Sequence, residues 1–232
     1  MEIVGAEPLS AEEIRERHDR ILHRLRDMAD ANGHDPERVR IVAVTKAWPL
    51  EVARAALDAG LTRLGESRLQ EAEPKVAALP GAEWHFIGRL QSNKARRAVR
   101  AFPVIHSVDS VALLGRLDEL AAEEGQRTEV LFQVNVSGEA TKAGLDPAAL
   151  GFVVPPAAVR LIGLMTIAPM RASPAEAQAV FARLRGLRDE LQHRIGLELP
   201  ELSMGMSLDA EAAAAEGATL VRIGTALFGS RS

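Results

Sequence analysis

The sequence predicts an α/β chain of the (β/α)8 class, a TIM-type barrel with an extra N-terminal helix and a reduced or missing last helix. Eight short runs rich in Val, Ile, Leu and Phe can be counted, at 41–45, 62–66, 83–88, 104–108, 129–136, 160–166, 201–205 and 220–224. Stretches of helical period separate them, the alternation expected of a parallel sheet wrapped by helices, and eight units are the number that closes on itself. The first four runs begin near Ile41, Thr62, Glu83 and Val104, about 21 residues apart. That spacing is close to the minimum for a strand, a helix and two short loops.

The elements follow in order. A helix over 10–32 opens on Ser10-Ala11-Glu12-Glu13, the pattern of a capping box. It is expected to pack across the outside of the barrel, so that 1–35 form the packing helix and 39–232 the barrel of one domain spanning 1–232. A helix over 50–59 carries apolar residues at 50, 52, 53, 56 and 57 and stops at Gly60. Helices over 109–124 and 174–195 stop at Gly125 and Gly196, and the second starts with Pro174, the proline-first, glycine-last punctuation of real helices. The alanine-rich stretch 210–218 reads as one short helix ended by Gly217. After the last strand and Thr225 only ALFGSRS follows, so the closing helix is expected to be short or missing and the N-terminal helix to cover the gap.

Composition narrows the function. With 232 residues, 47% of them hydrophobic, the chain can bury a sizeable core. Its 28 basic and 32 acidic side chains leave a net charge of −4, which gives no general attraction to nucleic acid or anionic lipid. A small-molecule site is the expectation, with no nucleic acid and no membrane as partner. The absence of cysteine excludes disulfides, thiolate metal sites and cysteine nucleophiles, and fits a reducing compartment. MEIVGAEPLS lacks a basic segment followed by an apolar core, and the apolar stretch 148–170 is broken by Pro155, Pro156 and Arg160. A cytoplasmic protein is therefore expected. Tyrosine is also absent.

Barrel proteins build their sites at the carboxyl ends of the strands. There the sequence places Lys46, Glu66 and Ser67, His85 and Gly88, Ser107 and Asp109, Asn135, Met165 and Thr166, Ser203 and Ser207, and Arg222, Gly224 and Thr225. Two readings of Lys46 stand side by side. It can cap the barrel in an ion pair with Glu66, or desolvation can free its amine to attack an aldehyde as a Schiff-base nucleophile. Gly224, Thr225 and Ser207 sit at the two strand ends where this architecture cradles phosphate, although Ser207 also reads as an ordinary helix N-cap. Arg222 shares a strand face with Gly224. It reads either as one half of an ion pair or as a fixed cation that keeps a nearby ring nitrogen unprotonated.

An amine for an aldehyde, a phosphate cradle and a cation for a ring nitrogen together outline pyridoxal 5′-phosphate. At these residues the sequence resembles the pyridoxal phosphate homeostasis proteins, which are similar to the N-terminal barrel of alanine racemase, the fold type III group. The matching stretches are VTK at 44–46, GE at 65–66, WHFIGRLQSNK at 84–94, HSVDS at 106–110, NVSGEATKAG at 135–144, GLMTI at 163–167, SMGMSLD at 203–209 and VRIGTALFG at 221–229. The resemblance implies that Lys46 carries the cofactor as a Schiff base, that Ser207, Gly224 and Thr225 hold its phosphate, and that Arg222 faces its pyridine nitrogen. His85, Met165 and Met204 lie in matching segments as candidates for the ring pocket, against a plainer reading as barrel filler. Ser67 stands where the family usually has asparagine, so a hydroxyl replaces an amide beside the cofactor.

The resemblance also implies a carrier of the cofactor. Racemases of this fold pair their lysine with a tyrosine from a second domain, and this chain has no tyrosine. An unprotonated pyridine is moreover a weak electron sink. The expectation is a monomeric protein that binds, buffers and hands over pyridoxal phosphate to apo-enzymes, with little or no turnover. Three alternatives remain: a racemase-like enzyme of fold type III, a cofactor-free Schiff-base aldolase using Lys46, and a docking surface built on Arg89, Lys94, Arg96 and Arg97.

Overall fold

A computed structural model describes residues 9–139 and 143–230. The match to NVSGEATKAG is therefore seen without residues 140–142, which lie outside the described residues. Eight parallel strands close a barrel in sequence order: β1 (Arg40–Val44), β2 (Arg63–Glu66), β3 (Glu83–Phe86), β4 (Val104–Val108), β5 (Glu129–Gln133), β6 (Arg160–Met165), β7 (Glu201–Ser203) and β8 (Leu220–Ile223). Closure comes from β1 pairing with β8, with Val42 opposite Arg222 and Ala43 opposite Ile223.

The helices are α1 (Ala11–Ala31), α2 (Leu50–Asp58), α3 (Leu69–Ala78), α4 (Ala95–Ala101), α5 (Val111–Glu124), α6 (Pro174–Ile195), α7 (Ala210–Ala215) and α8 (Thr225–Phe228). A 3-10 turn (Pro147–Phe152) stands between β5 and β6 where the other crossovers carry a helix. α1 begins at the expected capping box: the Ser10 hydroxyl accepts from Glu13 N–H, and the Glu13 carboxylate accepts from Ser10 N–H. Its buried face of Ile14, Ile21, Leu25 and Ala29 packs against α2, α7 and α8. The guanidinium of Arg17 donates to Leu227 O at 3.1 Å. α8 has only four residues, so α1 covers the flank that a full eighth helix would cover.

Strand alternation divides the side chains into two sets. Outward ones such as Ile41, Ala43, Leu64, Trp84, Phe86, Phe132, Val221 and Ile223 form one apolar layer with the helices. Inside the barrel a smaller apolar cluster of Val104, Leu131, Ile162 and Met165 shares the space with His85, His106, Ser203 and Arg222, all buried. Gly163 is required by the sheet: a Cβ there would meet Glu201 O at 1.9 Å. No helix among the described residues is long and apolar enough to cross a membrane.

Candidate functional site

Lys46 follows β1 directly. Val42 and Val44 are buried outside the helix-facing layer, so the phase of the strand aims position 46 at the barrel mouth and position 45 at the helices. Thr45 is fixed from three sides. Its hydroxyl donates to Glu66 Oε1 at 2.9 Å, and its carbonyl accepts from Lys75 Nζ at 3.0 Å and from Trp48 N–H at 3.1 Å. The turn continues through Ala47 at φ 59°, a left-handed conformation that a residue with a Cβ adopts at a cost. Lys46 itself is half-buried.

Glu66, a candidate ion-pair partner for Lys46, faces the helix layer. Its Oε1 accepts from Lys75 Nζ of α3 at 2.6 Å, and both side chains are buried. Lys75 was not among the sequence candidates, because a lysine following Pro74 in a polar stretch reads as solvent-exposed. Ser67 is half-buried one residue past β2. The chain turns tightly there against Gly88, where a Cβ would sit 2.1 Å from Ser67 O.

At the end of β8, Gly224 stands beside β1, where a Cβ would touch Val44 O at 3.4 Å, an ordinary contact. Thr225 opens α8 and is exposed. The Ser207 hydroxyl accepts from Ala226 N–H at 3.3 Å, which joins the loops after β7 and β8. Ser207 is not the cap of the following helix. α7 starts at Ala210 with Asp209 as its N-cap, and the Asp209 carboxylate is turned back to accept from Met206 N–H at 2.6 Å.

Arg222 lies inside the barrel, 4% exposed. Its Nη1 donates to Ser203 Oγ at 2.5 Å and its Nη2 to Thr166 O at 2.8 Å. Among the described residues no carboxylate lies within ion-pair distance of it. Burial pulls its pKa down to about 10, with Asp209 acting in the opposite direction, so it remains a cation at neutral pH. A buried guanidinium balanced only by neutral groups is costly and is suited to a ligand atom carrying a lone pair.

The three ring-pocket candidates separate. Met165 belongs to the interior cluster, whereas Met204 belongs to the layer between sheet and helices. His85 has both ring nitrogens engaged below the rim: Nε2 lies 2.7 Å from Glu83 Oε1 and Nδ1 lies 2.8 Å from His106 Nε2. His106 and Glu83 were not singled out from the sequence. A signal existed, since His85 and His106 are one strand repeat of 21 residues apart. The candidate docking arginines face neighbouring acids: Arg96 bonds Glu123 and Glu124, and Arg97 makes two bonds to Glu73. These pairs tie α4 to α3 and α5.

The donor set, an amine at the mouth, hydroxyls and a helix start at the β7 and β8 ends, and a cation beneath, fits a phosphorylated pyridine aldehyde. Comparison with known proteins agrees with it. The family described as "Alanine racemase, N-terminal domain" matches residues 17–232. The chain is 41% identical over 222 residues to the pyridoxal phosphate homeostasis protein of Aquifex aeolicus, covering 93% of this chain and 97% of that one. It is 45% identical over 218 residues to the protein of the same name from Pseudomonas aeruginosa, covering 91% and 93%. Among solved structures, PipY of Synechococcus elongatus with PLP bound superposes with a TM-score of 0.79 at 45% identity, over 90% of this chain and 100% of PipY. D-threo-3-hydroxyaspartate dehydratase from Delftia, at TM-score 0.69 and 23% identity over 97% of this chain and 62% of that one, shares the fold.

Proposed function

The chain belongs to the pyridoxal phosphate homeostasis proteins, built on the alanine racemase N-terminal barrel, and on that premise we propose that it binds pyridoxal 5′-phosphate at the barrel mouth, covalently through Lys46. The observation that carries this reading is Arg222: a buried cation with no carboxylate within ion-pair distance among the described residues, beneath a lysine-bearing rim. When bound, the cofactor supplies an aldehyde that condenses with a primary amine and a conjugated ring that absorbs visible light. The residues divide the work of holding it. Thr45, clamped by Glu66 and Lys75, fixes the base of the Lys46 side chain. Ser207 and Thr225, at the neighbouring ends of β7 and β8, offer hydroxyl donors to phosphate. Arg222 opposes protonation of the ring nitrogen, and Ser67 offers a hydroxyl where relatives offer an amide.

The protein acts as a cytoplasmic, monomeric buffer and donor of the cofactor, with little turnover of amino acids. A cation at the ring nitrogen weakens the electron sink that carbanion chemistry needs, and no tyrosine is present to serve as a second base. Handover to apo-enzymes is supported by Met170 and Leu208, 94% and 96% exposed on the loops that follow β6 and β7, which give the rim apolar surface for a passing partner.

The test is the visible spectrum of the pure protein with added cofactor, followed by borohydride reduction and peptide mapping. A band with the reduced adduct on Lys46, lost in Lys46→Ala, is the expected result. An adduct scattered over surface lysines overturns the binding assignment, and rapid racemisation or transamination overturns the carrier role.

A further inference from the structure

A continuous run of buried polar groups crosses the barrel interior beneath Arg222. Ser203 Oγ lies 2.5 Å from Arg222 Nη1 and 2.8 Å from His106 Nδ1. His106 Nε2 lies 2.8 Å from His85 Nδ1, and His85 Nε2 lies 2.7 Å from Glu83 Oε1. Ser203, His106 and His85 are each at most 1% exposed. The Glu83 side chain is 45% exposed and lines a cleft of about 730 Å³ at the opposite end of the barrel from Lys46.

The donor inventory fixes the direction of this run. A guanidinium can only donate and a carboxylate only accept, so Ser203 accepts from Arg222 and His85 Nε2 donates to Glu83; with one hydrogen on each ring, the hydrogen of Ser203 goes to His106 Nδ1. His106 is kept neutral, its pKa held well below the usual histidine value chiefly by burial, with the Arg222 charge acting in the same direction. Its hydrogen is then on Nε2 and points to His85 Nδ1. His85 in turn carries its hydrogen on Nε2, directed at Glu83, whose carboxyl is held below its ordinary value chiefly by that hydrogen bond. Every link donates the same way, from a cation at one end to an anion at the other, and no donor or acceptor of the two rings is left over.

We propose that Ser203, His106, His85 and Glu83 are positioning residues for the cofactor, an aligned column of hydrogen bonds that anchors Arg222 under the pyridine nitrogen and ties its orientation to the far end of the barrel. This rests on the binding reading above. One added proton reverses the two inner links of the column, His106 to His85 and Ser203 to His106. With His85 doubly protonated, His106 Nε2 must accept, its hydrogen moves to Nδ1, and Ser203 accepts from both neighbours, so its own hydrogen turns away. Around that far end stand Arg40, Arg63, Glu129, Arg160 and Glu201 as well as Glu83, while Asp209 acts on Arg222 from the mouth. A change of charge in the cleft thus reaches the cofactor without any strand moving.

Nitrogen NMR of the full chain without cofactor tests the direction. His106 is expected to be neutral with its hydrogen on Nε2 at pH 8, and a hydrogen on His106 Nδ1 at that pH overturns the proposal. With pyridoxal phosphate added, wild type, Ser203→Ala and Ser203→Thr are compared. Ser203→Ala is expected to keep the visible band yet shift its pH midpoint by at least about half a unit, and Ser203→Thr, which keeps the hydroxyl, is expected to restore it. An unchanged midpoint in Ser203→Ala overturns the column while leaving the binding site standing. Failure of wild type to form the band overturns the binding site, and the histidine tautomers are still read without cofactor.

Discussion

Two lysines within thirty residues of each other are assigned opposite tasks by their surroundings. Lys75 is buried with Glu66 and Thr45 O as partners, while Glu66 Oε2 has no hydrogen-bond partner among the described residues. Removing one member of a buried pair strands the other, at about 3–5 kcal/mol, whereas replacing both by neutral groups costs far less. Urea unfolding of Lys75→Ala is expected to show that loss, and the double variant Lys75→Met, Glu66→Gln to recover most of it. Ala47 offers the reverse case. Its left-handed φ costs about 1–2 kcal/mol, so Ala47→Gly is expected to raise the thermal midpoint slightly while loosening the turn that carries Lys46, which a faster release of cofactor would report. At this scale the sequence singled out polar residues by their place on the strands and missed the partners that other elements bring to them. Lys46, Ser207 and Thr225 stand just past strand ends and Arg222 near the end of β8, whereas Lys75 sits in a helical stretch that gives no sign of Glu66 opposite, and His106 is marked only by its repeat distance from His85.

Among the elements, α1 has the most to explain, because it precedes the barrel and yet completes its wall. Its capping box was legible in Ser10 and Glu13 and is present. Ser10→Ala is expected to lower stability by about 1 kcal/mol in thermal unfolding. A chain starting at residue 33 would bare the surface that Ile14, Ile21, Leu25 and Ala29 cover on α7 and α8, and is expected to bind a hydrophobic dye and aggregate. The strands were legible as apolar runs, but six of the eight were read one to three residues too long at the carboxyl end. Just past the paired strands, Thr45, Ile87, Val134, Thr166 and Met204 each still donate one backbone N–H to the neighbouring strand before the chain turns out over the rim, and no propensity distinguishes a fully paired residue from one at that turn. α7 begins three residues after Ser207 for a related reason: the serine hydroxyl is drawn across to α8 instead of capping its own helix.

For the whole molecule the ionisable groups set an acid limit. His106 stays neutral in the fold, with its pKa well below 6.5, while the unfolded chain takes up that proton. Its contribution is complete above pH 6.5 and is lost as pH falls below it, at up to about 1.4 kcal/mol per unit. Carboxylates held low by arginines, such as Glu124 with its pKa near 2 instead of 4.5, add a further loss below pH 4.5. Urea midpoints measured from pH 8 to 4 are therefore expected to be flat, then to fall from about pH 6.5, with the first part of the fall absent in His106→Asn. The order of assembly follows from the closure of β1 on β8. Val42 pairs with Arg222 across 180 residues of chain, and contacts of such long range form late. Lys46 is made well before Arg222 and Thr225, so under the binding proposed above a nascent or half-folded chain has the amine without the rest of the cradle. On that proposal only a closed barrel takes up the aldehyde, and the pool of cofactor is sampled solely by molecules that have passed that final stitch.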